Sequence, residues 1–196
     1  MAYKFIQGGL HMNHTGTVRI ETPRLILRRF DMVDVQPMFD NWASDPEVTR
    51  YLTWPPHAGP DVTEAILRDW TAGYVRSDFY QWAIVLRENG PEPIGSIAVV
   101  SLNEAIESVH IGYCLGRKWW HKGIMSEALQ AVIHHFFTAV HAQRIDSMHD
   151  PRNPHSGGVM KKCGMQYEGT LRRFARNNQG LADACYYSIL ADEYHA

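Results

Sequence analysis

Met125, Leu129, Val132, Phe136 and Val140 recur at spacings of four, three, four and four, the signature of a helix with one apolar face. Such a helix cannot bury its stripe alone and needs a second layer to cover it. The preceding residues supply one. Tyr80 to Arg87, Pro93 to Leu102 and Ser108 to Leu115 read as strands separated by Glu88-Asn89-Gly90-Pro91 and Asn103-Glu104, an antiparallel meander. After the helix come a strand from Arg144 to Met148, a short helix from Pro154 to Lys162 ended by Gly164, and strands from Met165 to Arg173 and Ala184 to Leu190. Nearer the start, Leu25-Ile26-Leu27 forms a short strand and Asp31 offers an N-cap to a helix running towards Trp42. A second helix is expected from Asp61 to Tyr74. This order describes a mixed α/β (α+β) fold with helices on both faces of one sheet.

A chain of 196 residues, 45% hydrophobic and 20% charged, suits one domain with one sizeable core. That domain is assigned to 13–196, and 1–12, with its Gly8-Gly9 pair and His11-Met12 junction, reads as a vector-derived leader. A net charge of -2 gives no global basic field, which argues against nucleic acid as a direct partner. No apolar run approaches the ~20 residues of a membrane helix and no secretory signal is recognisable, so a cytoplasmic protein without a membrane partner is expected. Cys114, Cys163 and Cys185 are odd in number and far apart, which fits neither a disulfide framework nor a zinc site. His134, His135, His141, His149 and His155 make no convincing ligand set either, and no metal is expected.

The strongest chemical signal lies between Leu115 and Met125. A strand stops at Leu115-Gly116, basic residues follow, and Lys122-Gly123 leads into the long amphipathic helix. Open backbone N–H groups at the positive end of a helix dipole make an anion site, for which phosphate is the natural ligand. Lys-Gly at such a place can equally serve only to make the bend. No Gly-x-Gly-x-x-Gly opens a helix after the first strand, and no Gly-x-x-x-x-Gly-Lys-Ser/Thr is present.

The wider pattern is more specific. His110-Ile111-Gly112-Tyr113-Cys114-Leu115, then Trp120-His121-Lys122-Gly123-Ile124-Met125-Ser126-Glu127-Ala128, then Asn153-Pro154-His155-Ser156, then Lys162-Cys163-Gly164-Met165 with Glu168-Gly169, closely resembles the GNAT superfamily of N-acetyltransferases. Order and spacing are most similar to the Rim-type ribosomal-protein N-terminal (alanine/serine) acetyltransferases. The resemblance starts at Glu21-Thr22-Pro23-Arg24-Leu25-Ile26-Leu27-Arg28 and covers nearly all that follows.

The resemblance implies a GNAT-like fold, a mostly antiparallel sheet of about seven strands with about four helices, splayed between strand 4, which ends at Leu115, and strand 5, which begins at Arg144. It implies acetyl-CoA as co-substrate, the pantetheine arm along Tyr113, Cys114 and Leu115, and the pyrophosphate on the amides of His121, Lys122, Gly123, Ile124, Met125 and Ser126. Asn153 and Ser156 match positions that contact the pantetheine arm and the thiol, and Lys162 matches a phosphate-binding lysine. Ser156 would protonate the departing thiolate, although Asn153 or Ser156 could instead simply cap the helix.

The chain departs from the family pattern at several points. Trp120, His121 and Met125 stand where Gln or Arg, Gly, and Gly or Ala are usual, and a side chain at Met125 is expected to narrow the turn. His110 replaces a frequent glutamate and Ala175 a second carboxylate. His110, an imidazole that titrates near neutrality, is the candidate base, the alternative being a hydrogen-bonded strand histidine without a catalytic role. Cys114 and Cys163 are expected to be small buried apolar residues rather than nucleophiles.

On the acceptor side, the resemblance puts Tyr51, Trp54 and the Pro55-Pro56 loop at the mouth, with His110 beside the amine. An α-amine titrates near 7.7 to 8.0 and a lysine near 10.4, so lysine costs roughly 3 to 4 kcal/mol more to deprotonate at neutral pH. A weakly equipped base therefore favours a protein or peptide N-terminus, such as that of a ribosomal protein. The alternatives are a small-molecule amine (polyamine, amino sugar or antibiotic) and, in another class, a non-catalytic acyl-CoA-binding module. A monomer or a homodimer fits the sequence equally.

Overall fold

The computed structural model describes residues 12–195. Residues 1–11 of the expected leader lie outside the described residues. Met12, by contrast, is only 6% exposed and packs in the core, and Asn13 N donates to Val140 O at 2.7 Å.

Eight strands form one sheet: β1 (Ile20–Glu21), β2 (Leu25–Arg28), β3 (Gln81–Leu86), β4 (Pro93–Asn103), β5 (Ser108–Leu115), β6 (Arg144–His149), β7 (Gln166–Asn177) and β8 (Gly180–Leu190). Their order is β1-β2-β3-β4-β5-β6-β8-β7, with every pair antiparallel except β5 and β6. The strand beyond the expected seven is β1, whose two residues are too few to show a period.

Five α-helices flank the sheet: α1 (Val35–Met38), α2 (Pro46–Thr49), α3 (Pro60–Gly73), α4 (Ile124–His135) and α5 (Pro154–Lys162). Asp31 caps as expected, but what it starts is a 3₁₀ turn, Met32–Asp34, closed by a reciprocal bond from Asp31 N to Asp34 Oδ2 at 2.9 Å. The helix towards Trp42 is thus divided into a 3₁₀ turn, α1 and a π-helical segment, Phe39–Ala43. Asp45 starts α2 by accepting from Glu47 N at 2.9 Å.

Leu129, Val132 and Phe136 of the apolar stripe pack with Leu25, Trp82, Ile97 and Ile111 into the main core. A smaller core on the other face joins Phe30, Met38, Trp42 and Leu67 to Ala83. Strand β3 is buried along its whole length because both layers cover it. Among the described residues no helix is long and apolar enough to cross a membrane.

Phe136 sits where α4 passes into a π-helical segment, Phe136–Val140, with its ring 4.8 Å from Tyr80 and 6.3 Å from Trp82, both edge-on. Phe136→Ala removes a fully buried ring from this cluster and is expected to cost about 3 to 5 kcal/mol, read as a lowered urea midpoint at unchanged slope.

Candidate active site

Strands β5 and β6 run parallel and pair only at Ser108↔Arg144, Val109↔Ile145 and His110↔Asp146. Beyond His110 they part, and β5 continues to Leu115 with no strand among the described residues paired on its β6 side, where Trp120 Nε1 donates to Leu115 O at 2.6 Å. Two side chains prop the opening. Ser147 Oγ donates to Ile111 O at 2.7 Å, and the Tyr113 hydroxyl reaches from β5 to Ser156 on α5, 3.0 Å from both its carbonyl and its Oγ. Burial pushes the Tyr113 phenol up, so it acts as a neutral hydroxyl.

The turn into α4 stands at the open end. Gly123 (φ +71°) and His121 (φ +59°) both lie in the left-handed region, a conformation glycine takes without strain. The first helical bond runs from Glu127 N to Gly123 O at 3.1 Å, which leaves the earlier amides as the free donors of a helix start.

Glu127 fixes this turn from below. Its Oε1 accepts from Thr22 Oγ1 at 2.6 Å and Arg24 N at 3.0 Å, its Oε2 accepts from Arg24 Nε at 2.5 Å, and Arg24 Nη1 donates to Lys122 O at 3.0 Å. Burial pushes the Glu127 carboxyl up, but the bonds from Thr22 and Arg24 outweigh it and hold the group below its ordinary value. Met125 does not narrow the turn. The residue is 6% exposed and its side chain packs in the main core.

Cys163 Sγ lies 3.4 Å from Ser126 O, which brings the end of α5 and the exposed Lys162 beside the first turn of α4. At the other end of α5, His155 meets His121 edge-on with ring centroids 4.7 Å apart. The Asn153 side chain makes no capping bond and Ser156 Oγ is engaged with Tyr113, so the capping alternative is set aside. An open strand edge, a helix start rich in free amides, and a hydroxyl pair between them suit an elongated phosphorylated ligand lying along β5.

His110, the last paired residue of β5, alternates with the core residues Val109 and Ile111 and therefore faces the other side of the sheet. It lines a cavity of about 410 Å³ with Val100, Ile106, Arg144, Asp146, Met148 and Tyr186. Its Nδ1 donates to Asp146 Oδ1. Asp146 Oδ2 also accepts from Ser108 Oγ at 3.2 Å and Arg144 Nε at 3.4 Å. Arg144 in turn forks onto Glu168 at 2.7 and 2.6 Å, and with a further bond from Ser188 Oγ this holds the Glu168 carboxyl down at about 2.

Asp146 and Arg144 were not singled out from the sequence. Alternation on a strand does put Arg144, Asp146 and Met148 on one face, but the parallel register that sets Asp146 opposite His110 leaves no local trace.

Met148 also walls a second cavity of about 70 Å³, lined by Tyr51, Asp150, Ala175, Arg176 and Asp183, so Tyr51 and His110 share one side of the sheet. The Arg50 and Arg152 guanidiniums lie over the Tyr51 ring, 5.5 and 5.8 Å from its centroid. Trp54 lines neither cavity. It packs on His57 at 5.2 Å, and its carbonyl accepts from Asn178 Nδ2 at 2.7 Å, which ties the loop to the β7–β8 turn.

Residues 24–166 match the acetyltransferase (GNAT) domain family. The chain belongs to the GNAT acetyltransferase family. It is 30% identical over 173 residues to the uncharacterized N-acetyltransferase p20 of Bacillus licheniformis, covering 88% of this chain and 96% of that one. It is 26% identical to the [ribosomal protein uS5]-alanine N-acetyltransferase of Escherichia coli (strain K12), over 80% of this chain and 82% of that one. A probable GNAT-family acetyltransferase from Chromobacterium violaceum superposes with a TM-score of 0.82 at 19% identity, covering 100% of this chain and 98% of that one.

In this GNAT enzyme two of the three cysteines are held in the thiol form. Burial pushes Cys114 up and Cys163 to about 12, against the thiolate a nucleophile needs.

Asp150 behaves in the opposite way. The bonds from Arg152 and Asn177 outweigh its burial and lower it from 3.8 to about 2. A depressed folded-state value means stability that is fully present above pH 3.8 and is lost as the pH falls towards 2. Asp150→Asn should lower the urea midpoint at pH 7 and flatten its decline over that acid window.

Proposed function

We propose that this GNAT enzyme acetylates the α-amine of a peptide or protein N-terminus in the cytoplasm, with His110 as general base and Ser156 as the proton donor at the thiol. Acetyl-CoA, when bound, supplies the activated acetyl group as a thioester. The backbone of Tyr113, Cys114 and Leu115, the amides from His121 to Ser126, and Asn153 and Lys162 would hold it.

One observation carries the reading. His110 stands at the apex of the splay, where β5 and β6 part, and lines the cavity on the opposite face of the sheet. An amine entering that cavity meets an imidazole at the point where a ligand in the splay would end. The imidazole takes the amine's proton, and the two hydroxyls of the Tyr113–Ser156 pair stay on the thiol side.

The electrostatics favour a single amine over a polycation. Asp146 and Asp150, on the walls of the two cavities, are already engaged by Arg144 and Arg152, and Asp183 accepts from Arg173 N at 2.8 Å. A polyamine or aminoglycoside would compete with the Arg144 and Arg152 guanidiniums for Asp146 and Asp150. The acceptor in the name of the Escherichia coli relative, the alanine of a ribosomal protein, supports the same class.

Thiol release at pH 7 from peptides beginning with Ser, Ala or Thr, an N-blocked lysine peptide, spermidine and an aminoglycoside tests the proposal. Free N-termini should be turned over at least ~10-fold more efficiently than the rest, in line with the pKa gap between α-amine and lysine. Equal or faster acetylation of lysine or spermidine would overturn the acceptor, and binding of acetyl-CoA without turnover on any amine would leave a non-catalytic module. His110→Ala should lower kcat by roughly 100-fold or more with acetyl-CoA affinity kept.

A further inference from the structure

The structure assigns Asp146 a positioning role: it fixes the ring and tautomer of His110 so that Nε2 is the proton acceptor presented to the cavity. The inference rests on His110 being the base. Its observation is separate, namely a carboxylate held on several sides at the last register pair before the strands part.

A carboxylate only accepts, so the contact between Asp146 Oδ1 and His110 Nδ1 places the ring proton on Nδ1 and leaves the lone pair on Nε2. Ser108 Oγ and Arg144 Nε hold the other oxygen at 3.2 and 3.4 Å. Arg144 is itself immobilised by its fork onto Glu168, which Ser188 Oγ anchors from β8 at 2.6 Å. The aspartate therefore cannot turn away without breaking bonds to three other residues.

The groups facing His110 are few. Ser101 is its register partner on β4, Ser108 and Asp146 bond as described, and the Tyr186 ring on β8 lies 6.1 Å away. Burial and the Asp146 charge push the Tyr186 phenol up, so it is neutral there. The positive charge of Arg144 is balanced by Glu168, which leaves Asp146 as the dominant field on the imidazole.

When the ammonium form of the acceptor enters, one N–H proton passes to Nε2 and the nitrogen regains its lone pair. Asp146 stays ionised and stabilises the imidazolium, which then releases the proton to solvent. Nothing is oxidised or reduced.

Asp146→Asn keeps the shape but offers an N–H to Nδ1, which turns the neutral ring to the Nε2–H tautomer and removes the base. Expected are a fall in kcat of roughly 10- to 100-fold, an unchanged KM for acetyl-CoA, and an acidic limb of the kcat/KM profile moved to lower pH. Asp146→Glu should restore part of the rate. An unchanged rate and limb in Asp146→Asn, with His110→Ala inactive, overturns the positioning role alone; full activity in His110→Ala overturns the base itself. ¹⁵N NMR of the unsubstituted enzyme gives a test independent of any variant's folding. Neutral His110 protonated at Nδ1 is expected, and a proton on Nε2 would overturn the inference.

Discussion

A parallel strand pair that ends after three residues is the constraint on which the rest of this molecule depends. In a continuous sheet the β5 edge from Ile111 to Leu115 would be spent on β6. Here it is left open, kept apart by the Ser147 and Tyr113 side chains, and flanked by the helices that follow each of the two strands. A ligand with extended backbone-like polarity can take the vacated pairing, and the free amides that open α4 stand where its charged end would fall. The same parting puts His110 and Asp146 at the closed end of the gap, on the face where the cavity of about 410 Å³ opens.

The supports around this gap come from distant parts of the chain. Thr22 and Arg24, in the turn between β1 and β2, hold the α4 turn through Glu127, so a segment about 100 residues away in the chain fixes the start of that helix. Asn178, at the tip of the β7–β8 hairpin, donates to the carbonyls of Thr49 and Trp54 at 2.8 and 2.7 Å and thereby fixes the loop that carries Tyr51. Each support joins elements far apart in the chain through more than one hydrogen bond, and the charge-assisted bond from Arg24 to Glu127 is of the stronger kind.

Much of this was legible in the sequence. Ser108–Leu115 and Pro154–Lys162 have the bounds that their patterns suggest, because Gly116 closes the strand and Asn153-Pro154 and Gly164 frame the helix. The β7–β8 hairpin was read too short. Register shifts at Tyr167/Gly169 and Leu171/Ala175 break the alternation, and most of β7 is exposed, so the hydrophobic period that betrays a strand is absent there. In the site, local chemistry was readable and long-range pairing was not. The Lys122-Gly123 turn announced a helix start, and Met125 packs in the core as the apolar stripe of α4 predicts, against the expectation from its motif position that it narrows the turn. Asp146 was invisible because its role exists only through the register with His110, 36 residues away.

In the function proposed above, the unpaired β5 edge and the α4 turn together form the acetyl-CoA site. Hydrogen–deuterium exchange with and without acetyl-CoA tests it most directly, since it reads backbone amides rather than activity. Slowed exchange confined to peptides covering Ile111 to Leu115 and His121 to Ser126, with the β7–β8 hairpin unchanged, is the predicted result. Protection located elsewhere, with both segments exchanging as in the free protein, would contradict it.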